Sequence, residues 1–177
     1  MKKRIVKNPN PVLFLRAKEI PPENILSPEI QNIIQQMKEA LQKTPEGIGL
    51  AAPQIGYSLR IFLASEEALR WKKTEEKNDE SKKKWDYYVF INPAIAKTSH
   101  ETKEDIEGCL SIPGTYGTVT RSEKVTVTAH DETGKKFTRG TSHLYARVMQ
   151  HEIDHLNGVL FISKAKDIKK LPEKHTE

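Results

Sequence analysis

The sequence predicts a single-domain α+β protein. Antiparallel or mixed β-sheets surround a central late helix carrying an H-E-x-x-H pattern, and an additional helix lies near the N-terminus. Three observations lead there. The chain has 177 residues, the size of one domain with one substantial core. Two segments, around 27–42 and 143–156, repeat apolar residues at helical spacing. Between them lie short alternating or apolar runs separated by turn residues, so the order is helix, several strands, helix, and not alternating strand and helix.

The elements follow in order. Pro9, Pro11, Pro21 and Pro22 predict an extended N-terminal arm, with apolar anchors at Val12, Leu13 and Leu15. Ser27 is a suitable N-cap, Pro28 suits the first helical position and Glu29 complements the helix dipole. Ile30, Ile33, Ile34, Met37, Ala40 and Leu41 then form one apolar face, and Pro45 and Gly47 end the helix. Leu59–Ala64 reads as a strand. Residues 71–84 hold six lysines and four acids among 14 residues, which predicts a solvated, mobile loop; the acids dilute any RNA-contacting role. Tyr87–Ile91 resumes strand character and is expected to stop at Asn92-Pro93.

Val119 and then Lys124–His130 alternate as a half-buried strand does. Asp131–Gly134 reads as a hairpin turn, and Lys136–Arg139 as the returning strand. The last helix spans His143–Leu156, with Thr141 or Ser142 as N-cap and Asn157-Gly158 as its stop. From Lys164 to residue 177 the chain is polar and basic, and a partly frayed tail is expected.

Composition excludes several classes. No run approaches the roughly 18 apolar residues of a bilayer-crossing helix. One cysteine, Cys109, leaves no intrachain disulfide and fits a reducing compartment; with no export signal after Met1-Lys2-Lys3-Arg4, a cytoplasmic location is expected. The net charge of +5, from 29 basic and 24 acidic residues, is an ordinary solubility charge. No stable nucleic-acid partner and no membrane association are expected.

The chemistry concentrates in His151-Glu152-Ile153-Asp154-His155. Histidines four apart on a helix stack one turn apart on one face and can share a metal ion. Glu152 sits about 100° around the helix, beside the ligands, where a carboxylate can take a proton from water. Such a site needs a third ligand. Downstream the sequence offers Asp167, Glu173, His175 and Glu177, all in the polar tail; upstream it offers Cys109, flanked by glycines at 108, 114 and 117. A downstream carboxylate or histidine would indicate an HExxH metalloprotease, the alternative reading. A metal-stabilised RNA-binding protein would need the ligands but not Glu152.

Three segments carry a resemblance. Gly47-Ile48-Gly49-Leu50-Ala51-Ala52-Pro53-Gln54, Glu107-Gly108-Cys109-Leu110-Ser111 and Gln150–His155 occur in this order. In them the chain resembles the peptide deformylases of the main bacterial and organellar type, from about Asn8 to about Ile162. The resemblance implies that Cys109, His151 and His155 bind one divalent metal ion, Fe²⁺ natively, with Zn²⁺ or Ni²⁺ able to replace it. It implies hydrolysis of the formyl group from N-formylmethionyl nascent peptides, releasing formate, with Glu152 as the proton carrier. Gln54 and the backbone N–H of Leu110 are then the oxyanion donors. Gly47, Ile48, Gly49 and Glu107 are implied at the substrate site, with Arg121 tying down Glu107. Ile48, Leu144 and Val148 are candidates to receive the methionine side chain; the last two share a helix face with His151. Transient contact with the ribosome is left open. The chain departs from the family pattern in its longer 71–84 segment, in Asn10 where many members have Asp, and in ending without a long amphipathic helix.

Overall fold

A computed structural model of the chain describes residues 4–44, 47–65 and 87–171. The charged 71–84 segment, Pro45 and the end of the tail lie outside the described residues. Helix α1 spans Pro28–Gln42, and the Ser27 hydroxyl accepts a hydrogen bond from Ile30 N at 3.4 Å. Its buried residues are the six apolar positions of the predicted face. They pack with Leu50, Ile61, Leu63 and Ile91 into one core cluster. Each such side chain contributes about 1.5–3 kcal/mol when fully buried.

Strands β1 (Gly49–Ala51), β2 (Ile61–Ser65), β3 (Tyr87–Thr98), β6 (Lys124–His130) and β7 (Lys136–Ser142) form a five-stranded sheet in the order β1-β2-β3-β6-β7. Strands β4 (Thr102–Cys109), β5 (Ile112–Ser122) and β8 (Lys166–Lys170) form a second sheet in the order β4-β5-β8. Every strand pair in both sheets is antiparallel; the parallel contact is an isolated bridge between Lys18 and Leu59. Helix α2, His143–Leu156, buries Tyr145, Ala146, Val148, Met149, Ile153 and Leu156 against Phe62, Phe90, Val125 and Val127 of the larger sheet. Its other side meets the smaller sheet, so the H-E-x-x-H helix is central and both sheets contribute to its surroundings.

Two expectations change, and two strands come without one. Strand β3 does not stop at Asn92-Pro93. It continues to Thr98 through a register shift between Ile91 and Ala94, with Asn92 at φ 49°. A bulge tolerates a proline without an N–H, and asparagine accepts the left-handed conformation. The Asn92 side chain also bonds Ile20 N (2.9 Å) and Ile20 O (2.6 Å), which fixes the bend against the arm. The arm itself makes a 3-10 turn at Pro11–Phe14, capped by Asn10, whose side chain accepts from Val12 N. Its anchor is Leu13, fully buried, whereas Leu15 is 52% exposed. Within the described part of the tail, Lys166–Lys170 form β8, held by pairing with β5 and by Leu171 N→Gly114 O; residues 172–177 lie outside the described residues. Strand β4, which no alternation announced, pairs with β5 along its length.

Candidate active site

Helix α2 sets His151 and His155 one turn apart, with ring centroids separated by 5.0 Å. Strand β4 supplies the thiol. A register shift between Gly108 and Cys109 ends the regular pairing with β5 there. Cys109 Sγ lies 3.2 Å from His155 Nε2. One ligand-capable atom from each of Cys109, His151 and His155 falls within 4.8 Å of the others, the one such group of three found among the described residues. Asp167, a downstream alternative, sits on exposed β8 outside this group; Glu173, His175 and Glu177 lie outside the described residues.

The surroundings fit a metal ion. The Glu107 carboxylate is held well below its usual range: burial pushes it up, but hydrogen bonds from His151 and Arg121 outweigh that. It therefore only accepts, so His151 Nδ1, 2.9 Å from Glu107 Oε2, carries the proton and Nε2 is left to ligate. His155 is held well below its usual pKa by burial and by the charge of His151, so its ring is neutral as a ligand must be. Its Nδ1 is buried without a partner among the described residues. Burial lowers the His151 pKa, but hydrogen bonds with Cys109 and Glu107 outweigh it and raise it to about 10, so an ion would take the place of the Nε2 proton. Two imidazoles so deprotonated, beside a thiol, make a donor set suited to borderline divalent ions such as Fe²⁺ and Zn²⁺.

Glu152 is 4% exposed, and its Oε2 has no hydrogen-bond partner among the described residues. Burial raises its pKa to about 7, a shift that the charge of His151 partly opposes. Gly49 lies directly against it: a Cβ there would collide with Glu152 Oε1. A glycine at this position thus lets the Glu152 carboxylate keep the place it occupies. Gln54 sits in a 3-10 turn, Ala52–Ile55, that ends at Gly56 with φ 89°. Its Oε1 accepts from Ala51 N at 2.8 Å, which turns Nε2 toward Cys109 Sγ (3.5 Å) and Ser111 Oγ (3.3 Å).

A cavity of about 380 Å³ opens over this cluster. Gly47, Ile48, Gly49, Gln54, Glu107, Cys109, Leu110, Leu144, Val148, His151 and Glu152 all line it. His155, 1% exposed, stands behind Cys109. Glu107 borders the cavity but its oxygens are engaged. Arg121 Nε and Nη2 donate to them at 2.9 and 3.0 Å, and Arg147 Nη1 donates at 2.8 Å. Its carboxylate therefore serves His151 and not a ligand. Arg121 also reaches Asp154, which in turn holds Lys164.

Arg147 was missed in the sequence. Its spacing of four from His151 on α2 was a readable signal that the two share a face. Ser111, fully buried beside Gln54, was also missed.

Comparison with known proteins identifies the family. A family model described as polypeptide deformylase matches residues 2–171. A peptide deformylase of Borreliella burgdorferi is 42% identical over 87% of this chain and 82% of its own length. One from Natranaerobius thermophilus is 39% identical over 98% of both chains. A crystal structure of a peptide deformylase from Legionella pneumophila, 37% identical, superposes with a TM-score of 0.78 over 94% of this chain and 88% of that one. A thiol and two histidines gathered within 4.8 Å of one another, and a match across almost the whole chain, lead to one conclusion: the chain belongs to the polypeptide deformylase family.

Proposed function

We infer that this chain hydrolyses the formyl amide at the N-terminus of formylmethionyl polypeptides, releasing formate and a free amine. The reading treats residues 1–177 as one catalytic unit. The observation that carries it is the convergence of Cys109 and His151 beside Glu152 and Gln54 at one cavity, with His155 directly behind Cys109.

Cys109, His151 and His155 would hold the ion. We take it as Fe²⁺, with Zn²⁺ or Ni²⁺ as substitutes able to occupy the same donors. A divalent ion held there supplies Lewis-acid activation of water and of the formyl carbonyl. Glu152 takes the proton from the attacking water and delivers it to the leaving nitrogen; burial, which holds its carboxyl above the usual range, favours that exchange of a proton. Gln54 Nε2 and the Leu110 N–H donate to the oxygen as it gains charge, and one such donor is typically worth about 3–4 kcal/mol. The backbone at Gly47 and Gly49 offers hydrogen bonds to an extended peptide, and Ile48, Leu144 and Val148 receive the methionine side chain. Glu107 holds His151 in its ligating tautomer.

The substrates are nascent chains, met in the cytoplasm with at most transient ribosome contact. No helix among the described residues is long and apolar enough to cross a membrane. The test is formate release from a short formyl-Met peptide by anaerobically purified protein, with metal assayed on the same sample. Release that scales with bound metal supports the reading. A fully metal-loaded sample that releases none overturns it.

A further inference from the structure

Three consecutive residues of the N-terminal arm reach both segments that carry the oxyanion donors. The Val6 N–H donates to the Gln54 carbonyl at 2.8 Å, and the Asn8 N–H to the Ser111 carbonyl at 2.9 Å. Between them, Lys7 Nζ donates to the Leu110 carbonyl at 2.6 Å and borders the cavity. Flanking side chains fasten the arm on two sides. Ile5 packs on the cluster of α1, and Val6 on the separate cluster of Leu13, Ile112 and Phe161.

Gln54 and Leu110 belong to different elements, a 3-10 turn and the β4–β5 link. The direct side-chain bonds between their segments are Gln54 Nε2→Ser111 Oγ at 3.3 Å and Gln54 Nε2→Cys109 Sγ at 3.5 Å. Both engage the amide group that must also serve the oxyanion. The arm sets the same spacing through backbone carbonyls and leaves the donors untouched.

We propose that Val6, Lys7 and Asn8 form a brace that fixes the separation of the Gln54 amide from the Leu110 N–H. They are positioning residues, since none reaches the reacting atoms. The inference rests on the deformylase reading. The oxyanion exists only in the transition state, so loosening the brace lowers kcat and leaves KM nearly unmoved.

The test compares Lys7→Met, Lys7→Arg and Val6→Pro in the full-length, metal-loaded protein. Val6→Pro removes the N–H and keeps an apolar side chain. The readouts are kcat and KM for a formyl-Met peptide, metal content, and amide hydrogen exchange at Leu110. Lys7→Met should lower kcat about tenfold, part of the roughly 10²–10³-fold that loss of a whole donor costs. KM should stay within about twofold, metal content should stay unchanged, and Leu110 exchange should accelerate. Lys7→Arg should restore kcat, and Val6→Pro should match or exceed Lys7→Met. Unchanged kcat in Lys7→Met overturns the brace. So does an effect confined to KM, which makes Lys7 a substrate contact, or a fall in metal content, which makes the arm a support for the ligands. A wild type that is fully loaded yet inactive strikes the deformylase reading itself; an active wild type with an unimpaired Lys7→Met strikes the brace alone.

Discussion

Glu107 Oε2 lies 2.9 Å from His151 Nδ1, and the same carboxylate accepts from Arg121 and Arg147. One buried anion thus orients a proposed ligand and balances two buried guanidinium groups. The site's donor geometry and the stability of the link between β4, β5 and α2 share one residue.

Glu107→Gln should therefore be costly in two ways. Breaking a buried ion pair by removing one partner destabilises by about 3–5 kcal/mol, and loss of an outer partner weakens metal binding by about 10–100-fold. Urea unfolding and competitive metal titration read the two effects separately.

The same carboxyl gives a pH signature. Its folded pKa lies below the ordinary 4.5, so its stabilising effect is present above about 4.5 and is lost as pH falls below that value. The urea midpoint of the wild type should drop more steeply between about pH 5 and pH 3 than that of Glu107→Gln. Parallel curves would contradict the assignment.

Gly49→Ala places a methyl group where the Glu152 carboxylate lies. The carboxylate is the movable partner, so the fold should survive with a stability change of about 1 kcal/mol, within the usual range for single substitutions. Turnover should fall by about tenfold or more, because general acid–base catalysis contributes roughly 10²–10⁴-fold and depends on that position. Metal content should not change.

Leu13 and Leu15 separate the real anchor of the arm from the apparent one. Leu13→Ala should cost about 2–5 kcal/mol as a buried truncation, and Leu15→Ala about 0.5 kcal/mol or less. Thermal melting of both variants checks this.

Much of this arrangement was legible in the sequence, for physical reasons that also explain the gaps. The faces of α1 and α2 were readable because a 3.6-residue period leaves a direct trace in residue order. Ser27, Pro28 and Gly158 marked helix ends by local chemistry, and Gly158 has φ 73°. Gln54, Cys109, His151, Glu152 and His155 fall in three short segments, so their types and order carried the resemblance. Strands β4 and β8 left no trace. Glu107 is the one buried residue of β4, and all five residues of β8 are exposed, so backbone pairing with β5 defines them and side-chain alternation does not. Arg147 reads as a solvated helix charge until β4 brings Glu107 to it. The arm's bonds to Gln54 and Ser111 are backbone contacts between distant segments, which no local pattern encodes.

The central claim is that Glu152 moves the proton while Cys109, His151 and His155 hold the ion. Formate release per bound metal ion in Glu152→Gln, measured beside wild type on anaerobically prepared samples, tests it most directly. The account predicts wild-type metal content with release reduced by about 10²-fold or more. Release within tenfold of wild type at full metal occupancy would contradict it.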